Sequence, residues 1–204
     1  MTRQVLWFEF LLLFVLAPVA IAALLPATAM FPALFAVTLV GIVLLQFTRA
    51  FHWRELRAGP VNTRQVVLFG AGMVVLCLGL MVLTAPGQLF NILRERPLMM
   101  LAIALFYPVV SALPQELVFR PLFFRRYGPI LPDGRAALFS LAHLMYWSWI
   151  VAAMTFAGGL IFAHAYEVRR SFPMAVALHS IAGVVIFATG MGIYFYSGNV
   201  TRPF

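Results

Sequence analysis

The residues able to do chemistry in this chain sit inside apolar sequence. In "ALPQELVFRPLFFRR" (112–126), Glu116 and Arg120 stand well before the Arg125/Arg126 pair. Further on come His143, in "FSLAH", and His179, in "HSIAG". A carboxylate and two imidazoles meeting in one partly wet cavity can deprotonate a water or hold a metal ion. Charges in a lipid environment are costly, so such residues face a bundle interior, pair with one another and mark function. A structural role competes with this. Glu116 and Arg120 are four apart on one helix face and can simply neutralise each other, and single histidines in helical bundles often bond between helices. His164, three residues before Glu167, fits packing and local pairing, and His52 lies in an Arg-rich loop with a solvated role.

The elements that must position these residues follow from composition. With 64% hydrophobic and 10% charged residues over 204 positions, the chain has too much apolar surface for a soluble core, so its solvent is lipid. All fourteen basic residues are Arg, scattered through the loops rather than gathered in a stripe, which excludes nucleic acid as a partner. Cys77 stands alone, so there is neither a disulfide framework nor a cysteine metal site. Apolar runs near the roughly 20 residues a crossing helix requires occur at 6–25, 29–48, 65–84, 97–124, 136–149, 151–168 and 173–195, the fifth being short. The stretch 136–168 would overshoot a bilayer as one helix, so a tight turn near Ser148 is expected. The fold class is therefore an all-α, polytopic membrane bundle of about seven helices, in a single transmembrane domain over 1–204.

Seven crossings place Arg3, Arg49, Arg54, Arg57, Arg64, Arg125, Arg126, Arg135, Arg169 and Arg170 on one side, and only Arg94, Arg96 and Arg202 on the other. The Arg-rich side is expected to be cytoplasmic, with the N-terminus inside and the C-terminus outside. A signal peptide cut near "ATAM" (27–30) is the rival reading of the first run, opposed by Glu9 and the single Arg3. Counted inward from the Arg-rich ends of their helices, Glu116, His143 and His179 all lie roughly 9–12 Å deep. They are expected to converge in one cavity that opens toward that side. Pro114 and Pro121 each remove a helix hydrogen bond and bend the turn carrying Glu116. Gly159 and Ala163 give the sixth helix a small-residue face for close packing.

At these residues the chain resembles the CPBP family of intramembrane proteases, which includes CAAX prenyl endopeptidases and bacteriocin-processing or self-immunity proteins. The family's Glu-Glu-x-x-x-Arg motif stands here as Gln115-Glu116-Leu-Val-Phe-Arg120, its Phe-x-x-x-His as Phe139 and His143, and its His-x-x-x-Asn as His179 with Gly183 in place of Asn. The likeness covers about residues 100–195, in the right order across several helices. The resemblance implies that the first-motif carboxylate and the second-motif His activate a water against a peptide carbonyl. It further implies that the third motif stabilises the oxyanion, with no obligatory metal or other cofactor.

An amide cannot accept a proton, so Gln115 cannot be a base, and Gly183 offers no donor. Glu116 is accordingly expected to act as base, with His143 and His179 as its catalytic partners and Gln115, Arg120, Phe139 and Gly183 in support. On that reading Gln115→Glu brings no gain. The expected function is endopeptidase cleavage of a peptide bond near the cytoplasmic face. Membrane lipid and a peptide or protein substrate are the partners, in a bacterial inner (plasma) membrane. The alternatives are a weak or inactive relative serving as a membrane binding or immunity protein, a metal-dependent site held by Glu116, His143 and His179, and a transporter. The last lacks the inverted repeats and paired broken helices such carriers use.

Overall fold

A computed structural model describes residues 2–131, 135–200 and 202. Its helices are α1 (Arg3–Leu24), α2 (Met30–Gln46), α3 (Thr63–Thr84), α4 (Pro97–Tyr127), α5 (Arg135–Leu141), α6 (Trp149–Glu167) and α7 (Phe172–Thr189), with short helical turns between them. Apolar runs fold this way because lipid offers no partner for a backbone N–H or C=O, and a helix satisfies both internally. The starts are marked by polar caps: Asn62 accepts from the Gln65 amide, Ser148 from Val151 and Ser171 from Met174. Five of the helices, α1, α3, α4, α6 and α7, are long and apolar enough to cross a membrane, and α2 is a shorter apolar helix. The chain is a multi-pass integral membrane protein of all-helical class.

The fifth expected crossing differs from a helix of ordinary length. Only Arg135–Leu141 is α-helical, followed by a short 3₁₀ turn at Leu144–Tyr146 and by Trp147 in the left-handed region. Seven residues at about 1.5 Å each cannot cross a bilayer. This half-helix lies against α6 instead, and the Ser140 hydroxyl donates to the Ala152 carbonyl at 2.8 Å. The turn expected near Ser148 is present, with Ser148 capping α6.

Loop contacts sort the two ends of the bundle. At one end, Arg125 bonds Glu55 at 2.7 Å and Glu167 at 3.2 Å, and the Ser171 hydroxyl donates to the Pro60 carbonyl. Gly59 has φ +87° with its Cα against Arg170 and Ser171, where a Cβ would meet backbone. At the other end the Phe90 amide donates to the Thr189 carbonyl at 3.1 Å, and Gly190, at φ +99°, closes α7 beside Gln88. Trp147 also reaches this end, its indole N–H donating to the Ala22 carbonyl.

The first helix is a full member of the core. Phe10 and Phe14 are buried, and Phe14 packs edge-on against Phe119 and Phe123 with centroids 5.6 and 5.4 Å away. Arg126 ties three helices together: its guanidinium donates to Glu9 at 2.7 and 2.9 Å, and to the Leu44 carbonyl and the Thr48 hydroxyl. Arg126→Ala leaves the Glu9 carboxylate, one-fifth exposed, with the Tyr127 hydroxyl at 3.3 Å but no neutralising cation. We expect a loss of about 3 kcal/mol, read as an earlier unfolding midpoint in detergent. An unchanged midpoint would show that this pair holds nothing together.

Candidate active site

The site is built on an irregular helix. Within α4, α-helical stretches at Pro97–Tyr107 and Leu113–Leu117 alternate with π-helical ones at Pro108–Ala112 and Val118–Tyr127. Pro108, Pro114 and Pro121 cannot donate to the carbonyl four residues back, and their rings crowd it. The winding relaxes to wider turns, a form that recurs at functional sites. The bend expected from Pro114 and Pro121 thus takes the shape of two wide turns flanking Glu116.

Glu116 and Arg120 are completely buried. One carboxylate oxygen accepts from Arg120 Nε at 2.8 Å and the other from His179 Nδ1 at 2.9 Å. Arg120 also donates to the Phe119 carbonyl at 3.2 Å, and its guanidinium lies 5.5 Å from the centre of the Phe139 ring, a cation–π distance. Phe139 in turn meets His143 at 4.8 Å and His179 at 5.5 Å between ring centres. The three sequence motifs therefore interlock through one carboxylate and one phenyl ring. His179 is fixed further by parallel stacking on Phe162, centroids 5.0 Å apart and planes 11° from parallel.

The two imidazoles have defined orientations. His143 Nδ1 lies 2.8 Å from the Phe139 carbonyl, which can only accept. The N–H therefore sits on Nδ1, and in the neutral ring Nε2 is an acceptor. The same logic puts the His179 proton on Nδ1, against Glu116, and its Nε2 lies 3.3 Å from the Tyr107 hydroxyl. His143, His179, Gln115, Tyr107 and Gly183 all line one cavity of about 750 Å³, whose other walls are mostly apolar with hydroxyls at Ser111, Tyr146, Thr155 and Tyr196. Glu116 is outside that lining, behind His179. Gln115 faces it, with its amide nitrogen donating to Ser111 Oγ at 3.0 Å.

His143 and His179 line one cavity, whereas Glu116, expected in the same cavity, bonds His179 from outside its lining. The Glu116 carboxylate points at Arg120 and His179, whereas the base expected of it would face His143. The cavity walls run from Phe69, Phe139 and Phe162, in the Arg-rich half, to Ile21, Met30, Phe31 and Phe195 toward the opposite end. Among the described residues no group of three His, Cys, Asp or Glu side chains is placed to hold a metal ion, so these three do not form one ligand set. Tyr107 carries no motif and escapes the sequence reading. The one signal for it is Gly183, a missing side chain whose space another residue has to fill.

Residues 96–185 match the family model described as type II CAAX prenyl endopeptidase Rce1-like. Over these residues the chain is similar to the Rce1-like family. The match is consistent with the CPBP resemblance, and the matched stretch contains every residue of the site, from Tyr107 to Gly183. The first ninety-five residues lie outside the match, yet α2 packs on the π-helical end of the matched stretch and Glu9 binds its Arg126. No curated protein and no solved structure matches the chain. At family level the match supports a CAAX-type intramembrane protease.

Proposed function

We propose that this protein is an intramembrane endopeptidase whose water-activating base is His143. The observation that carries the reading is the His143 ring, with Nδ1–H given to the Phe139 carbonyl and Nε2 left as the acceptor on a cavity shared with His179. In the reaction, Nε2 takes a proton from a water whose oxygen bonds to the peptide carbonyl carbon. The same proton then passes to the departing amine nitrogen as the C–N bond breaks. Glu116, which cannot reach the cavity wall, positions His179 and neutralises Arg120. The peptide bond would sit at the depth of the two imidazoles, nearer the Arg-rich end, which the Arg distribution makes cytoplasmic. The substrate would reach it through the apolar cavity from the opposite half of the bundle. A bacterial inner membrane and a peptide or protein substrate complete the reading.

A second reading rests on Gln115. With an amide on the wall and Glu116 occupied, no carboxylate faces the cavity, as suits a protein that holds a membrane peptide without cutting it. One experiment separates the two: the full-length protein in lipid nanodiscs, incubated with a pool of synthetic membrane-spanning peptides and read by mass spectrometry. We expect cleavage by the wild type, and a fall of about 10²–10⁴-fold in His143→Ala, the range for loss of a general base. Peptide retention without cleavage would establish the binding reading.

A further inference from the structure

The proposed reaction places negative charge on the carbonyl oxygen, and neither histidine is set to meet it. With both Nδ1 positions donating, to Phe139 and to Glu116, the neutral rings present two acceptors to the cavity. An oxyanion requires a donor aimed at the place where the charge develops. Gln115 already spends an amide N–H on Ser111. Tyr146 stacks on His143 but gives its hydroxyl proton to Met30 Sδ at 3.2 Å, whereas the Tyr107 hydroxyl lines the cavity and lies 3.3 Å from His179 Nε2.

The packing around Tyr107 makes this placement specific. Its ring lies directly over Gly183, so that a Cβ added there would fall inside the ring. The ring also meets Phe187 edge-on, with centroids 6.2 Å apart. Tyr107 is the last residue before Pro108, where α4 widens. A polar chain thus runs from Tyr107 through His179 to Glu116 and Arg120.

We infer that Tyr107 is a catalytic residue: its O–H is the oxyanion donor of this site, occupying from α4 the space that the absent side chain at Gly183 leaves on α7. The inference rests on the endopeptidase reading. As the water oxygen bonds to the carbonyl carbon, the Tyr107 O–H swings from His179 Nε2 to the carbonyl oxygen and donates a hydrogen bond without giving up its proton. The bond relaxes when the C–N bond breaks and the carbonyl re-forms.

Tyr107→Phe keeps the ring on Gly183 and removes only the hydroxyl. On the peptide that the wild type cuts fastest from the synthetic pool, kcat is expected to fall about 10²–10³-fold, the cost of one oxyanion donor. KM and the unfolding midpoint should stay near wild type. A phosphinate analogue of that peptide, which mimics the tetrahedral oxyanion, should lose affinity in parallel. Tyr107→Ala should be as slow, and adding Gly183→Asn to it should restore at least about tenfold by supplying a donor from α7. Wild-type kcat in Tyr107→Phe, with His143→Ala silent, would overturn this assignment and leave the endopeptidase reading intact. A Tyr107→Phe loss accompanied by an equal fall in the unfolding midpoint would also overturn it. No cleavage by the wild type at all would overturn both.

Discussion

Glu116→Ala should unfold the site before it can be assayed, and a second change should bring the fold back without the activity. Arg120 is completely buried, and its Nη2 already has no hydrogen-bond partner among the described residues. Removing the carboxylate leaves an uncompensated guanidinium in a medium that cannot solvate it, which typically costs about 3–5 kcal/mol. Removing both charges is far milder, because no bare ion remains. We therefore expect Glu116→Ala to show a much earlier unfolding midpoint in detergent and no cleavage. Glu116→Gln combined with Arg120→Met should recover most of the midpoint, while His179 loses its carboxylate and cleavage stays low. A Glu116→Ala protein as stable as wild type would mean that the pair is not the structural tie described above.

Gln115→Glu should raise cleavage, by about 10–10²-fold, within the range a positioned carboxylate contributes. The sequence alone leads to the opposite expectation, because it makes Glu116 the base and the new carboxylate a redundant like charge. The structure removes that reason. Both Glu116 oxygens are engaged by Arg120 and His179, whereas Gln115 is on the cavity wall beside Ser111. The substitution introduces a carboxylate facing the water that His143 activates, next to a Glu116 whose charge Arg120 already balances. Rates for the two proteins on the same peptide pool decide it. Equal or lower cleavage by Gln115→Glu would return the base role to Glu116.

What was legible in the sequence was whatever depends on composition and helical rise. Apolar runs locate the crossing helices, and Ser148 marks the turn before α6 because its side chain caps that helix. Equal depth brings the second- and third-motif histidines to one cavity, and the proline spacing announces a distorted turn at Glu116. Three features were not legible, each because it depends on packing between helices. An i,i+4 pair on one helix leaves open which lone pairs of the carboxylate a neighbour will take, and here α7 supplies His179. The run at 136–149 has the hydropathy of a crossing, but Trp147 adopts a left-handed conformation and the chain turns after seven helical residues. Tyr107 sits in plain apolar sequence before Pro108. Only the Gly183 gap across the helix interface shows why an aromatic ring belongs there.

The cavity walled by α1, α2, α3, α4, α6, α7 and the segment carrying His143 is proposed to hydrolyse a peptide bond with water activated by His143. The most direct test is to incubate the wild type and His143→Ala in nanodiscs with the membrane-peptide pool in heavy-oxygen water, and to read the fragments by mass spectrometry. The account predicts wild-type fragments with heavy oxygen in the new carboxylate, cut at the depth of the two imidazoles, and their near absence with His143→Ala. Intact peptides with the wild type, or labelled fragments undiminished in His143→Ala, would contradict it.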